Sequence, residues 1–319
     1  MDQKIKDLFE KTMDKKVRSS SFLKTGYNNL NYLINDAFVI RIPRENKDPT
    51  TDFKKEEQIY KKIEPLSISE KLANFNVETG VKITKFVHNT RKYVNTPTNE
   101  QILYVAKKLK KLHNSNITVN FGYMMFNKLK VYKEGTPMHL HLEENYEKKV
   151  IKEVRRIFSK TPMTLCHNDL VKDNLLFRFN DVVFIDWEYS AMNNPYFDLA
   201  SFVSENNLSE EQEVFFLTKY FGYRYNQMKK KRVDIFVKFQ DILFYYWAQY
   251  LLEKRGDDIY KKIADEKFER TKLEQFKNWL AFTNQFFSLT NLSNSLASSS
   301  VKNLAKKYVS PISSLNTFG

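Results

Sequence analysis

Residues 164–200, TLCHNDLVKDNLLFRFNDVVFIDWEYSAMNNPYFDLA, constrain the fold more than any other part of this chain. Two apolar runs, residues 175–177 and 182–185, flank Arg178, Phe179, Asn180 and Asp181, and Asn180-Asp181 is a turn signal. The pattern predicts a β-hairpin with polar residues at both ends. His167, Asp169 and Asn174 precede the first strand, while Asp186 and Glu188 follow the second. The hairpin therefore carries Asn174 and Asp186 to one edge. Two oxygen ligands there suit Mg²⁺, which takes one or two carboxylates together with substrate phosphates.

Asp169 and Asn174 stand at the spacing of a kinase catalytic loop, H-x-D-x-x-x-x-N, and Asp186 falls where the metal-binding aspartate of a D-F-G element belongs. With I-D-W-E-Y-S and N-P-Y-F-D-L-A behind it, the run C-H-N-D-L-V-K-D-N-L-L resembles the choline kinase and aminoglycoside phosphotransferase superfamily, the bacterial choline kinases most. The likeness runs in motif order from about Leu23 to Trp247. It implies an α+β, protein-kinase-like bilobal fold, with a small antiparallel N-lobe sheet, one main helix, and a larger, mostly helical C-lobe. It also implies ATP-dependent phosphorylation of a small-molecule hydroxyl. The expected boundaries are residues 1–87 for the N-lobe, 88–289 for the C-lobe and 290–319 for a Ser- and Asn-rich tail.

Composition narrows the partners. With 319 residues, 42% hydrophobic and 15% aromatic, the chain can bury a large core. It has no run of 18 apolar residues, so no membrane span is expected, and its start, MDQKIKDLFEKTMDKK, lacks the apolar centre of a signal peptide. A lone cysteine, Cys166, rules out an intrachain disulfide framework and points to a reducing, cytoplasmic setting. The net charge of +14 invites a polyanion, but the lysines are dispersed along helices that also carry glutamate, as in LEENYEKKVIKEVRR. No basic cluster is interleaved with stacking aromatics. The charge reads as solvated faces that also attract ATP, with no specific nucleic-acid partner. Oligomeric state is left open, a homodimer included.

Before the central block, residues 1–18 carry Ile5, Leu8, Phe9 and Met13 at helical spacing. Segments 31–34 and 38–42 are joined by Asn35-Asp36, a hairpin signal. In the second segment Phe38, Ile40 and Ile42 share one face, and Val39 and Arg41 the other. Arg41 either faces solvent or reaches phosphates beneath an adenine. The resemblance favours the second reading, because these families often place Arg where protein kinases have Lys, and a guanidinium fork suits phosphate oxygens. Residues 51–64 read as a helix from which Glu56 or Glu57 would pair with Arg41, Glu56 being preferred. The resemblance puts the phosphate-covering turn at residues 25–31, with contacts from Gly26 and Asn29, although no G-x-G-x-x-G is present. It puts adenine against the backbone of Lys85, Phe86 and Val87, at the end of a further hairpin.

From Thr98 the period becomes helical. Thr98 and Gln101 form a capping box, and Ile102, Val105, Ala106, Leu109 and Leu112 line one face up to His113, read as structural. Further helices are expected at residues 143–158, 210–220, 232–254 and 271–287.

Phosphoryl transfer asks a protein for positioning and charge neutralisation more than for covalent chemistry. On the resemblance, Asp169 takes or orients the acceptor's hydroxyl proton, with His167 counted in the catalytic loop as its brace, and Asn174 and Asp186 hold Mg²⁺. Glu188 either reaches a second metal through water or is structural. A quaternary ammonium has no N–H and must be bound by charge and aromatic faces. The resemblance puts the acceptor pocket at Tyr189, Glu205, Phe244 and Trp247, with Glu205 as counter-charge; Phe244 and Trp247 read equally well as core. Asp198 is expected to anchor the catalytic loop. Choline or a close amino alcohol is the expected acceptor, and an aminoglycoside is the rival within the same fold. A pseudokinase adaptor is the non-enzyme rival, disfavoured because Asp169, Asn174 and Asp186 are all present.

Overall fold

The computed structural model describes residues 3–290, except 24–28, 45–47, 49 and 94. The expected contact from Gly26 and most of the C-terminal tail lie outside these residues. Helix α1 (Gln3–Met13) leads into strands β1 (Ser20–Leu23), β2 (Asn29–Ile34) and β3 (Phe38–Pro43). Helix α2 (Phe53–Ile63) and strands β4 (Leu72–Phe75) and β5 (Lys82–Lys85) follow. The five strands make one antiparallel sheet in the order β1-β2-β3-β5-β4. Asn35 and Asp36 close the β2–β3 hairpin at φ of 53° and 49°, left-handed values that short polar side chains tolerate.

Residues directly opposite in an antiparallel ladder share a face. Ile40 lies opposite Ile83, and with Ile34 and Phe9 of α1 they form a small dry core on one side of the sheet. On the other side Val39 lies opposite Thr84, and Arg41 opposite Lys82. That side carries the charge. Helix α2 starts on Asp52, whose carboxylate accepts the N–H groups of Lys54 and Lys55, and it delivers Glu56 to the charged side.

The rest is mostly helical: α3 (Asn99–His113), α4 (Met125–Glu134) and α5 (Glu144–Phe158), then β6 (Thr164–Cys166), β7 (Leu175–Arg178), β8 (Asp181–Phe184) and β9 (Ala191–Asn193). Helices α6 (Pro195–Glu205), α7 (Glu210–Phe221), α8 (Gln227–Arg255) and α9 (Asp258–Thr290) complete it. The Thr98–Gln101 capping box starts α3. A second core gathers Leu109, Val154, Phe197 and Phe239 from four of these helices. The β7–β8 hairpin turns at Phe179-Asn180, one residue before the expected pair, with Asn180 at φ 57°. The elements β1, α4, β6, β9 and α6 are not foreseen in the sequence, and α9 begins at Asp258 rather than at residue 271. Among the described residues, no helix is long and apolar enough to cross a membrane.

Candidate active site

The charged side of the sheet and the β6–β9 region face each other across a cavity of about 710 Å³, a size usual for small-molecule sites. Asp169 lies in the loop after β6, and that loop is held from behind. Asp198 on α6, fully buried, accepts the N–H groups of His167 at 2.8 Å and Asn168 at 2.7 Å. Its Oδ2 also meets His113 Nε2 at 3.0 Å. Ser201 Oγ accepts the Leu170 N–H, and the Asn206 amide donates to the Leu170 carbonyl. Asn168 at φ 68° and Asp186 at φ 64° sit in left-handed backbone. Non-glycine residues hold such values when their surroundings fix them, often at functional sites.

His167 is buried, and its Nε2–H donates to the Ile185 carbonyl at 3.1 Å. Burial pulls its pKa down, against Asp198 and Asp186. It is not among the residues lining the cavity, so it braces the loop and does not face the space a substrate takes. Asp169 does face that space. Both amide hydrogens of Asn174 go to it, one to the Asp169 carbonyl at 2.9 Å and one to Oδ2 at 2.8 Å. Burial, then Asp186 and Glu188, push the Asp169 carboxyl well above the usual carboxylate range.

Arg41 is 4% exposed and grips carboxylates from two elements. Its Nη2 lies 2.5 Å from Glu56 Oε2, and its Nη1 lies 3.0 Å from Asp186 Oδ1 and 3.7 Å from Glu188 Oε2. Burial opposes its charge, yet these three carboxylates hold it more firmly protonated than usual. Glu56 is therefore the partner, while Glu57 pairs with Lys61 one turn along its own helix at 2.9 Å. Glu56 also takes a second cation: Lys82 Nζ donates to Glu56 Oε1 at 2.8 Å and to the Tyr60 hydroxyl at 2.7 Å. Lys82 escaped the sequence reading, since only the β3–β5 register places it beside Arg41. From the start of β2, Asn29 donates to Glu188 Oε2 at 3.2 Å.

Lys85, Phe86 and Val87 all line the cavity. The Lys85 and Phe86 N–H groups are donated to the Lys71 and Ala37 carbonyls at 2.8 Å. Those two donors are not open to a base, which narrows the expected backbone contact to Val87 among the three N–H groups.

At the far end, Tyr189, Glu205, Phe244 and Trp247 line the same cavity. Phe244 and Trp247 stand edge to face at 6.5 Å, partly buried, and they both line the cavity and pack against the core behind it. Glu205 has a partner that the sequence did not announce. Lys267 Nζ on α9 lies 2.7 Å from its Oε1. Burial raises the Glu205 pKa, but Lys267, with Arg270 and Ser204 adding to it, outweighs burial, and the carboxyl stays below its ordinary range. Its charge thus already has a partner. The acidic group that the aromatics do surround is Asp48, which has no exposed surface and was not foreseen. Its Oδ2 accepts from the Tyr132 hydroxyl at 2.9 Å, the Tyr189 hydroxyl at 3.0 Å and the Trp247 indole at 3.2 Å.

Comparison with known proteins fits this geometry. The family model for choline/ethanolamine kinase matches residues 19–300. LicA of Haemophilus influenzae is 30% identical over 207 residues, spanning 59% of this chain and 77% of that protein. The crystal structure of choline kinase LicA from Streptococcus pneumoniae aligns with a TM-score of 0.72 at 19% identity, over 84% of this chain and 97% of that one. An ADP-bound aminoglycoside phosphotransferase aligns at 0.55 and 18% identity, over 84% of this chain and 97% of its own. At these identities the two structures share the fold, which is protein-kinase-like.

Proposed function

The chain belongs to the choline/ethanolamine kinase family, and from that premise we propose that it moves the γ-phosphoryl group of ATP onto the hydroxyl of choline or a close amino alcohol. The single observation that carries this reading is the convergence of Asp169, Asn174, Asp186 and Arg41, which Glu56 holds from behind, on one cavity. The base lies against the sheet side near Val87, with the phosphates running toward Arg41 and the acceptor lying between Asp169 and Trp247. We take residues 1–87 and 88–289 as the two lobes of that cleft, and a reducing cytoplasm as the setting in which Cys166 stays a buried thiol.

The donor set fits Mg²⁺. With both its amide hydrogens on Asp169, Asn174 has its carbonyl oxygen left to offer, beside the Asp186 carboxylate. Two hard oxygens and few protein ligands are what Mg²⁺ takes when phosphates complete its shell. When bound, it would neutralise charge on the phosphates. Asn174 meanwhile fixes the Asp169 carboxylate toward the acceptor hydroxyl, whose proton it receives or orients. Lys82 shares Glu56 with Arg41, which leaves Arg41 positive field for the non-transferred phosphates.

This sharing sets an expectation on α2. Glu56→Gln should raise the KM for ATP about tenfold, equal to about 1.4 kcal/mol, whereas Glu57→Gln should leave it unchanged. Steady-state kinetics on both variants check this, and equal effects would break the assigned pairing.

For the acceptor, an aromatic face contributes about 0.5–2 kcal/mol to a bound cation. Trp247→Ala should raise the KM for choline from a few-fold to roughly thirtyfold and leave the KM for ATP nearly unchanged. Ethanolamine has N–H donors that reach a carboxylate directly, so it should lose less. Equal losses for both acceptors would place the cation elsewhere. The function itself is tested by ATP consumption with Mg²⁺ over choline, ethanolamine, thiamine and kanamycin. Choline- or ethanolamine-dependent turnover is expected; turnover with kanamycin alone would favour the aminoglycoside reading.

A further inference from the structure

Asp48 lies among the aromatics of the acceptor end, yet a lysine stands close to it. Lys128 of α4 is 8% exposed, and its Nζ donates to the Thr50 hydroxyl. That hydroxyl donates to Asp48 Oδ1 at 2.7 Å. The same ammonium lies 5.0 Å from the ring centroid of Tyr123 and 5.0 Å from that of Tyr189. Two aromatic faces with a carboxylate one hydroxyl away is how a protein holds a ligand's ammonium. Here the ammonium belongs to the chain. Tyr123, Tyr189 and Asp48 are also cavity wall, so the groups that hold Lys128 are within reach of a bound molecule.

The hold on Lys128 is a compromise. Burial pulls its pKa down to about 8, with Asp48 and Glu188 opposing and Lys55 adding to the fall. A buried ammonium is kept there only while the anion and the ring faces offset its lost hydration. Another cation offering the same contacts can replace it.

We propose that Lys128 is a tethered stand-in for the acceptor's cationic head: it engages Tyr123, Tyr189 and Asp48 when no acceptor is bound, and the acceptor's ammonium competes with it. Lys128 then sets acceptor affinity without touching ATP. The proposal rests on the reading of the acceptor as a cation, so its test is binding and not turnover.

Tetramethylammonium binding is measured by calorimetry on the full chain and on Lys128→Met and Lys128→Gln. Circular dichroism verifies each fold, and Lys128→Gln, which keeps a donor for Thr50, decides the matter if the Met protein does not fold. Both variants should bind tetramethylammonium about threefold to thirtyfold more tightly than wild type. The neutral choline isostere 3,3-dimethylbutan-1-ol should show no such gain. Unchanged or weaker tetramethylammonium binding would overturn the proposal, as would an equal gain for the neutral isostere or no binding to any of the proteins. If the variants gain affinity but no acceptor is phosphorylated, the competition stands and the kinase reading falls.

Discussion

Asp169→Asn and Asp186→Asn should each lower kcat by at least about a hundredfold, the lower end of what a positioned general base contributes. The two changes remove different things. Asp169→Asn keeps the shape of the side chain but takes away the atom that can accept the hydroxyl proton. The Asn174 amide, which donates to Asp169 Oδ2, would then face either an amide oxygen or a second donor. Asp186→Asn removes a carboxylate that lies 3.0 Å from Arg41 Nη1 and directly follows Ile185, whose N–H donates to the Asn174 backbone carbonyl at the end of the hairpin. Both side chains border the cavity, not the core, so both proteins should fold. Circular dichroism and steady-state kinetics with saturating ATP check the pair. Near-normal turnover by either protein would remove the phosphotransferase reading.

Asp198→Ala should act on stability as well as rate. This carboxylate has no exposed surface, and it accepts two backbone N–H groups from the catalytic loop while facing His113. Alanine leaves all three buried donors without the acceptor they have now. Removing one side of a buried charged network costs about 3–5 kcal/mol, so the midpoint of thermal unfolding should fall by roughly 10 °C. Activity should fall with it, because the His167 and Asn168 backbone positions Asp169. Thermal unfolding followed by circular dichroism measures the first effect. A shift of only a degree or two would mean that the loop is held by Ser201 and Asn206 instead.

The hairpin that carries Asn174 and Asp186, the face assigned to Arg41, the capping box of α3 and the anchoring of the loop by Asp198 were all legible in the chain. In each case the signal is local: a turn pair, a two-residue alternation, a cap, or a fixed motif spacing. What escaped has a common cause. The buried positions of α4 are Met125, Lys128, Leu129 and Tyr132, and those early in α9 include Tyr260, Ala264, Lys267 and Thr271. Both sets have helical spacing, but a lysine sits on the buried side of each and interrupts the apolar stripe that a periodicity argument follows. Those two lysines are the partners of the acceptor-side carboxylates, Lys128 toward Asp48 and Lys267 on Glu205. The same buried lysines thus hid helix α4, the first part of α9 and the partner of Glu205. Asp48 itself precedes α2 in sequence and meets Tyr132, Tyr189 and Trp247 only through the tertiary fold. No spacing rule joins residues so far apart.

The most direct measurement is phosphorus NMR of the purified protein with ATP, Mg²⁺ and choline, run beside Asp169→Asn and beside a sample in which EDTA removes the metal. Phosphocholine and ADP should appear in equal amounts with wild type alone, the γ-phosphoryl passing to the choline hydroxyl and not to water. ATP converted to ADP and inorganic phosphate at the same rate with and without acceptor, or phosphocholine forming undiminished in Asp169→Asn, would contradict the assignment of this cleft.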